Sequence, residues 1–207
     1  GGETTFTYDE NRNLLTVTDA RSNATTYTYD NMDRVATRTD PLTNQETYTY
    51  DENGNLAEVT DRKGQVTAYA YDLLDRMTKV TYDDTSTTAY TYDAGDRLME
   101  IDDSIAGVIE RDYDLLDRLT EDTTPEGAVT YTYDDADRRA TMTVAGQTQI
   151  SYDYDSANRL TGITQGAASV DFTYDSAERR TVLTLPNGVT VETAYDAASQ
   201  VTGLTYK

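Results

Sequence analysis

Tyr69-Ala70-Tyr71-Asp72-Leu73-Leu74-Asp75-Arg76-Met77-Thr78-Lys79-Val80-Thr81 is the stretch that decides the fold. Its two rings are separated by one small residue, so both point to one face of an extended strand. Asp72 to Asp75 is a polar turn segment, and the Met, Val and Thr that follow favour a second strand. Strand, turn, strand within so few residues is a β-hairpin.

The same pattern runs through the whole chain of 207 residues. With the Tyr counted as position zero, Tyr-Asp stands in register ten times, at Tyr8, Tyr29, Tyr50, Tyr71, Tyr92, Tyr113, Tyr133, Tyr154, Tyr174 and Tyr195. Seven of the spacings are 21 residues and two are 20. A fixed period of this kind marks one supersecondary unit copied end to end. Two residues before the Tyr a second aromatic stands in eight copies, and Arg stands five residues after it in seven: Arg34, Arg76, Arg97, Arg118, Arg138, Arg159 and Arg179. An aliphatic residue or Met occupies plus six in eight copies, an apolar residue occupies plus nine in eight, and Thr occupies plus ten in nine. A second turn carries Gly, Pro, Asn or Asp, as in Pro41-Leu42-Thr43-Asn44, Arg62-Lys63-Gly64 and Pro186-Asn187-Gly188. Such residues tolerate positive φ or preset a turn.

The predicted class is therefore all-β. Tandem hairpins of about 21 residues are expected to form a continuous, spiralling antiparallel sheet, a shell, tube or filament. About ten units form a single array over residues 1–207. Some twenty strands at roughly 4.8 Å each would make a sheet about 95 Å wide, and sheets of that width curl, split or flatten. Equivalent Tyr residues of successive units are expected to stack into ladders. One detail conflicts with a regular strand. Positions plus six and plus nine have opposite parity, so either a β-bulge intervenes or both faces are partly covered.

Composition narrows the function. The net charge is -21, from 38 acidic and 17 basic residues, and such a field repels nucleic acid and anionic membrane. No apolar run is long enough to cross a membrane as a helix, and no targeting segment is visible. Tyr, with 18 residues, supplies much of the apolar surface while each hydroxyl keeps a polar contact. The chain has no His and no Cys, which removes the common nucleophile-base pairs. Carboxylate pairs such as Asp83-Asp84, Asp102-Asp103 and Asp134-Asp135 are read as turn residues, because acids recur in every unit whereas an active site is singular. No catalytic, cofactor-binding or metal residue is assigned, and no cofactor is expected. Ca²⁺ is the one alternative, since Asp9-Glu10-Asn11-Arg12-Asn13 and Asp51-Glu52-Asn53-Gly54-Asn55 offer oxygen ligands without the distal Glu of a full loop.

The candidate functional residues are thus structural: the ten Tyr of Tyr-Asp and the seven Arg at plus five. The Arg is expected to pair with turn acids such as Asp30, Asp33, Asp72 or Asp75, or to lie over a Tyr ring. The Tyr stripe is read as packing in preference to a sugar-stacking platform. Departures from the pattern are Arg111 for the first aromatic, Arg38 and Asp122 at plus nine, and Arg139 and Arg180 at plus six. The chain starts at Gly1 and stops one residue after Tyr206, partway through a unit, which reads as an excerpt of a longer protein or a subunit of a polymer.

Tyr-Asp-x-x-x-Arg-Leu followed by an aliphatic residue and Thr resembles the YD repeat of the Rhs family. Tyr71-Asp72-Leu73-Leu74-Asp75-Arg76-Met77 and Tyr113-Asp114-Leu115-Leu116-Asp117-Arg118-Leu119 carry the resemblance most fully, and it covers essentially the whole chain. The family includes bacterial polymorphic toxins, toxin-complex cocoon proteins and teneurins, whose repeats spiral into hollow shells. The resemblance implies a non-catalytic scaffold, a wall segment in a secreted or cell-surface protein that encloses toxin or effector cargo. The alternatives are an extracellular filament or stalk of the same hairpins, and an adhesion or carbohydrate-binding module. The expected partners are neighbouring repeats or identical subunits and protein cargo, with no nucleic acid and no membrane insertion. The Asp-Pro motif by which bacterial members release their toxin has no counterpart, since Asp40-Pro41 is followed by Leu42-Thr43 in an ordinary turn.

Overall fold

The computed structural model describes residues 2–207, and Gly1 lies outside the described residues. Twenty strands and no helix are present among those residues, and neighbouring strands within each unit pair antiparallel. The chain divides into two compact units, the first up to Val108 and the second Ile109–Lys207.

In the first unit each strand pairs with the next along the chain: β1 (Thr5–Tyr8), β2 (Leu14–Thr18), β3 (Ala24–Tyr29), β4 (Val35–Thr39), β5 (Gln45–Tyr50), β6 (Leu56–Thr60), β7 (Val66–Tyr71), β8 (Met77–Thr81), β9 (Thr87–Tyr92) and β10 (Leu98–Asp103). The second unit repeats the meander from β11 (Gly107–Tyr113), whose first residues precede the boundary. It continues through β12 (Leu119–Thr124), β13 (Gly127–Tyr133), β14 (Arg139–Val144), β15 (Ile150–Tyr154), β16 (Leu160–Gln165), β17 (Ala168–Tyr174), β18 (Arg180–Thr184), β19 (Thr190–Tyr195) and β20 (Val201–Tyr206).

The register resolves the parity conflict. In the β7–β8 hairpin Tyr71 faces Met77, Ala70 faces Lys79 and Tyr69 faces Val80, so Thr78 is the extra residue of a bulge. The same shift follows every Tyr of Tyr-Asp that is paired within its unit, for example between Thr28 and Tyr29 and between Thr132 and Tyr133. One inserted residue restores the phase, so plus six and plus nine share a face with both rings. The opposite face carries Thr, and cross-strand hydroxyls meet at 2.6 Å for Thr7–Thr16 and 2.7 Å for both Thr28–Thr37 and Thr132–Thr141.

The turn after Tyr is equally fixed. Asp72 N–H donates to the Arg76 carbonyl at 3.0 Å, and Asp75 N–H donates to the Asp72 carbonyl at 3.1 Å. Position plus four takes positive φ in every copy, from 59° at Asp33 to 94° at Gly54. That is the left-handed corner of a three-residue hairpin loop, and Asp, Asn and Gly enter it most readily. The Asp72 carboxylate caps the turn by accepting the N–H groups of Leu74 and Arg76.

The packing is one layer deep. Among the described residues Val80, Thr88 and Gly162 are the buried ones, Val80 and Thr88 at 6% exposure each, and the rings and aliphatic residues of the ordered face are mostly half-buried. Stability therefore has to come from the joints between neighbouring hairpins as much as from a core.

Candidate functional site: the joint between repeats

Each joint is built from the Tyr of one repeat and the Arg of the repeat before it. The ladder between β2 and β3 ends at Thr16 opposite Thr26. Beyond that end the Tyr29 hydroxyl donates to the Leu14 carbonyl at 2.9 Å. Tyr50 donates to Val35, Tyr71 to Leu56 and Tyr92 to Met77, at 2.8 to 3.0 Å. In the second unit Tyr133, Tyr154, Tyr174 and Tyr195 donate to Leu119, Arg139, Leu160 and Arg180, at 2.8 to 3.1 Å. The acceptor is always position plus six of the preceding repeat, so the hydroxyl extends the backbone ladder by one rung. Where plus six is Arg139 or Arg180, the backbone still serves. Tyr8 stands on the first strand, 58% exposed and opposite Leu14. Tyr113 stands opposite Leu119 at the bulge of β11–β12.

The Arg at plus five works in two directions. Within its own turn Arg76 holds Asp72, with Nε at 2.8 Å and Nη2 at 2.7 Å from Oδ2. Arg34, Arg97, Arg118, Arg138, Arg159 and Arg179 hold Asp30, Asp93, Asp114, Asp134, Asp155 and Asp175 in the same way. These carboxyls all lie below the usual carboxylate range. The Arg side chain is the main cause at Asp30, Asp72, Asp114, Asp134 and Asp155, and the Arg backbone N–H at Asp93 and Asp175. Arg76, Arg118 and Arg159 are raised in turn, chiefly by those carboxylates.

Toward the next repeat the same guanidinium lies over a ring. Arg34 stands 4.3 Å from the Tyr50 ring centre, and the Arg76–Tyr92, Arg118–Tyr133, Arg138–Tyr154, Arg159–Tyr174 and Arg179–Tyr195 pairs measure 4.5 to 4.8 Å. Both expected roles of the Arg, ion pair and ring contact, are thus filled together. The expectation of Tyr-on-Tyr ladders needs correction. The strands beside a Tyr strand carry aliphatic residues and Arg, so Tyr50 sits opposite Leu56 and under Arg34.

A third contact was not read from the sequence. Nη1 of Arg76 reaches Asp96 at 2.5 Å, Arg118 reaches Asp137 at 2.6 Å, and Arg138 reaches Asn158 at 2.8 Å. Each acceptor is the left-handed plus-four residue of the next turn. Asp33 and Asp75 hold that position too, but their donors are asparagines. Asn11 and Asn13 donate to Asp33, and Asn53 and Asn55 donate to Asp75, at 2.7 to 3.0 Å. The Asn-x-Asn turns in the first and third repeats are therefore a second form of the same latch, and their spacing is the signal that could have revealed it. Arg159 Nη1 reaches the Asp175 carbonyl of the next turn at 3.3 Å in place of plus four, and Arg34 makes neither contact. Its Nη1 is buried with no hydrogen-bond partner, because the next turn has Gly54 at plus four.

The departures also find places. Arg111 stands opposite Asp122, where most other hairpins pair an aromatic with an apolar residue, and their nearest polar atoms are 3.7 Å apart. Both atoms, Nε and Oδ1, are buried without a hydrogen bond. Arg38 pairs with Glu46 at 3.0 Å, and Glu46 also meets Arg62 at 2.9 Å and accepts from Tyr48. Arg139 and Arg180 lie over Tyr131 and Phe172 of their own repeats. The turns considered for Ca²⁺ use their first carboxylate internally: Asp9 and Asp51 cap Asn13 and Asn55. Among the described residues no group of three or more His, Cys, Asp or Glu is placed to hold a metal ion.

A period-locked hairpin meander, latched at its joints by an Asp-Arg-Tyr set, defines a tandem β-repeat scaffold. The chain belongs to the YD-repeat, or Rhs-repeat, family. The RHS repeat model matches residues 8–45 and 50–87, and the teneurin YD-shell model matches residues 112–206. Among solved structures, the TcdB2-TccC3-Cdc42 crystal structure is similar over 100% of this chain and 14% of that one, with 15% identity and a TM-score of 0.61. The TcdB2-TccC3-TEV crystal structure is similar over 100% and 15%, with 12% identity and a TM-score of 0.60. A Tc holotoxin pore from Photorhabdus luminescens matches over 98% and 15%, with 15% identity and a TM-score of 0.58. The chain thus spans about 15% of the length of these three solved chains. No curated protein matches it.

Proposed function

We propose that this chain is a wall segment of a YD-repeat shell, a non-catalytic scaffold in a secreted or cell-surface protein that encloses a toxin or effector polypeptide. The observation that carries this reading is the joint. The Tyr, Arg and Asp that recur in the sequence are engaged in linking one hairpin to the next, which is the work of a wall. The recurring acids are committed to turns and latches, which supports a role without catalysis and without a resident cofactor. The similarity to Tc toxin components supports enclosure over a filament or an adhesion module. The partners in this reading are further YD repeats and the enclosed polypeptide.

The test is protection. The full-length protein carrying this segment is treated with a broad-specificity protease beside the separately expressed flanking polypeptide. Survival of that polypeptide only when the repeats are present supports enclosure. Digestion at the same rate in both cases overturns it, and long polymers by negative-stain microscopy would replace it with the filament.

A further inference from the structure

Within the second unit, the four boundaries between repeats have ladders of different length. β12 and β13 share four residue pairs, β16 and β17 share four, and β18 and β19 share three. β14 and β15 share two, Thr141 with Ser151 and Met142 with Ile150. The chain between them explains the shortfall. Ala145 N–H donates to the Ala128 carbonyl at 2.8 Å, which ties the end of β14 back toward β13. The Thr148 carbonyl accepts from Gln165 Nε2 at 3.0 Å, which ties the start of the next repeat forward to β16. Gly146 stands between these anchors with φ +76°, and a Cβ there would meet nothing. Residues 145–149 are exposed, and the loop holds β14 through Gln147 N–H to the Val144 carbonyl at 2.9 Å and a longer contact, Gln149 Nε2 to Thr143 Oγ1 at 3.4 Å.

The other edge of this boundary is closed. Arg138 reaches Asn158 at 2.8 Å and lies over Tyr154, whose hydroxyl donates to the Arg139 carbonyl at 3.1 Å. Plus six is Arg139 here, and its side chain turns to Tyr131 of its own repeat, so no aliphatic residue packs at that position of the joint.

We propose that the β14–β15 boundary is a flap. It parts at the Ala145–Gln149 edge, pivots on Gly146, and stays hinged at the latch of Arg138, Tyr154 and Asn158. The ladder is shortest where the neighbouring chain is pulled in opposite directions, so opening there breaks fewer hydrogen bonds than at the other three boundaries. In the wall reading proposed above, such a flap is where the wall would admit or release a segment of chain. The flap is read from the ladder alone, so its test does not depend on enclosure.

Amide-resolved hydrogen exchange on the intact chain tests it. The ladder amides of β15 facing β14 should exchange about tenfold faster than their equivalents at β12–β13, β16–β17 and β18–β19, the factor expected for about one missing hydrogen bond. Thr141→Cys with Ser151→Cys joins two directly opposed residues, whose Cα separation in such a pair suits a disulfide. Oxidation should erase the excess exchange, and reduction should restore it. Equal exchange at all four boundaries overturns the proposal. So does fast exchange confined to the loop amides of residues 145–149, and so does an excess that persists in the oxidised variant. The comparison among boundaries in the unmodified chain stands even if the double variant does not fold.

Discussion

Gly54 allows the latch to be tested by adding a contact. Arg34 Nη1 is buried and unpartnered, and a Cβ on Gly54 would lie 3.5 Å from it. In later repeats the same position holds Asp96 or Asp137, which bond the equivalent nitrogen. Gly54→Ala puts an L-residue at φ +94°, which costs about 1–2 kcal/mol, offset by about 0.4–1 kcal/mol from a less flexible unfolded chain. The Ala variant should therefore lose about 1 kcal/mol. Gly54→Asp has the same backbone problem, eased because Asp tolerates this region, and it supplies the missing acceptor. A hydrogen bond to a charged group contributes about 1.5–3 kcal/mol when sheltered. The position is open to solvent, as the 67% and 69% exposure of Asp96 and Asp137 shows, and screening reduces the gain to about 1 kcal/mol. The Asp variant should thus sit about 1 kcal/mol above the Ala variant, about 3 °C in melting temperature for a chain of this size. Circular dichroism melts at pH 7 measure the gap, and repeating them in an Arg34→Met background should shrink it to the backbone difference between Asp and Ala. If the Asp and Ala variants melt together, or if the gap is undiminished without Arg34, the latch does not act as described.

Three further outcomes are expected. Tyr71→Phe removes the rung to the Leu56 carbonyl and should cost about 1–2 kcal/mol in urea unfolding, while Tyr8→Phe on the exposed first strand should stay within about 0.5 kcal/mol. The latch carboxyls of Asp30, Asp72, Asp93, Asp114, Asp134, Asp155 and Asp175 are depressed in the folded chain. Their contribution is therefore complete above the unfolded carboxyl value, near pH 4, and is lost as pH falls through the lower folded values. Urea midpoints should hold between pH 5 and 7 on this reasoning and drop toward pH 3, and an unchanged midpoint at pH 3 would count against the latch. Finally, Arg111→Tyr together with Asp122→Ile restores the ring-apolar pair of most other hairpins and should raise stability by about 1 kcal/mol, whereas Asp122→Ile alone should lower it by stranding the Arg111 charge.

The Tyr-Asp beat made the hairpins, both turn classes and the family legible from sequence, because β periodicity and turn chemistry are local properties. The bulge was legible only as a contradiction. The opposite parity of Leu14 and Val17 showed that something had to shift, but the skipped residue is defined by the partner strand. The role of Arg34 in its own turn was legible for the same local reason, since Asp30 lies four residues away. Its placement over Tyr50 was not, because that contact depends on how far one hairpin slides along the next. The Asn-x-Asn latch stayed hidden for a related reason. Asn11 and Asn53 suit a turn on backbone grounds alone, so a single turn asparagine does not show that it also reaches the following repeat, and the recurring Asn-x-Asn pair is the one local sign.

This division explains how so acidic and thinly covered a chain can act as a scaffold. A sheet one layer deep has little buried apolar area to set against chain entropy. The latch compensates by using each group more than once. Asp72 caps its turn and holds Arg76. Arg76 then binds Asp96 and covers the Tyr92 ring, and Tyr92 closes on the Met77 carbonyl. Every one of these contacts lies within a repeat or between adjacent repeats, so stability grows by addition as repeats are appended. A wall can then be lengthened without redesigning a core. The weakest points are set by local departures such as Gly54 and the two-pair ladder of β14–β15, and these are the positions where perturbation should first separate one repeat from the next.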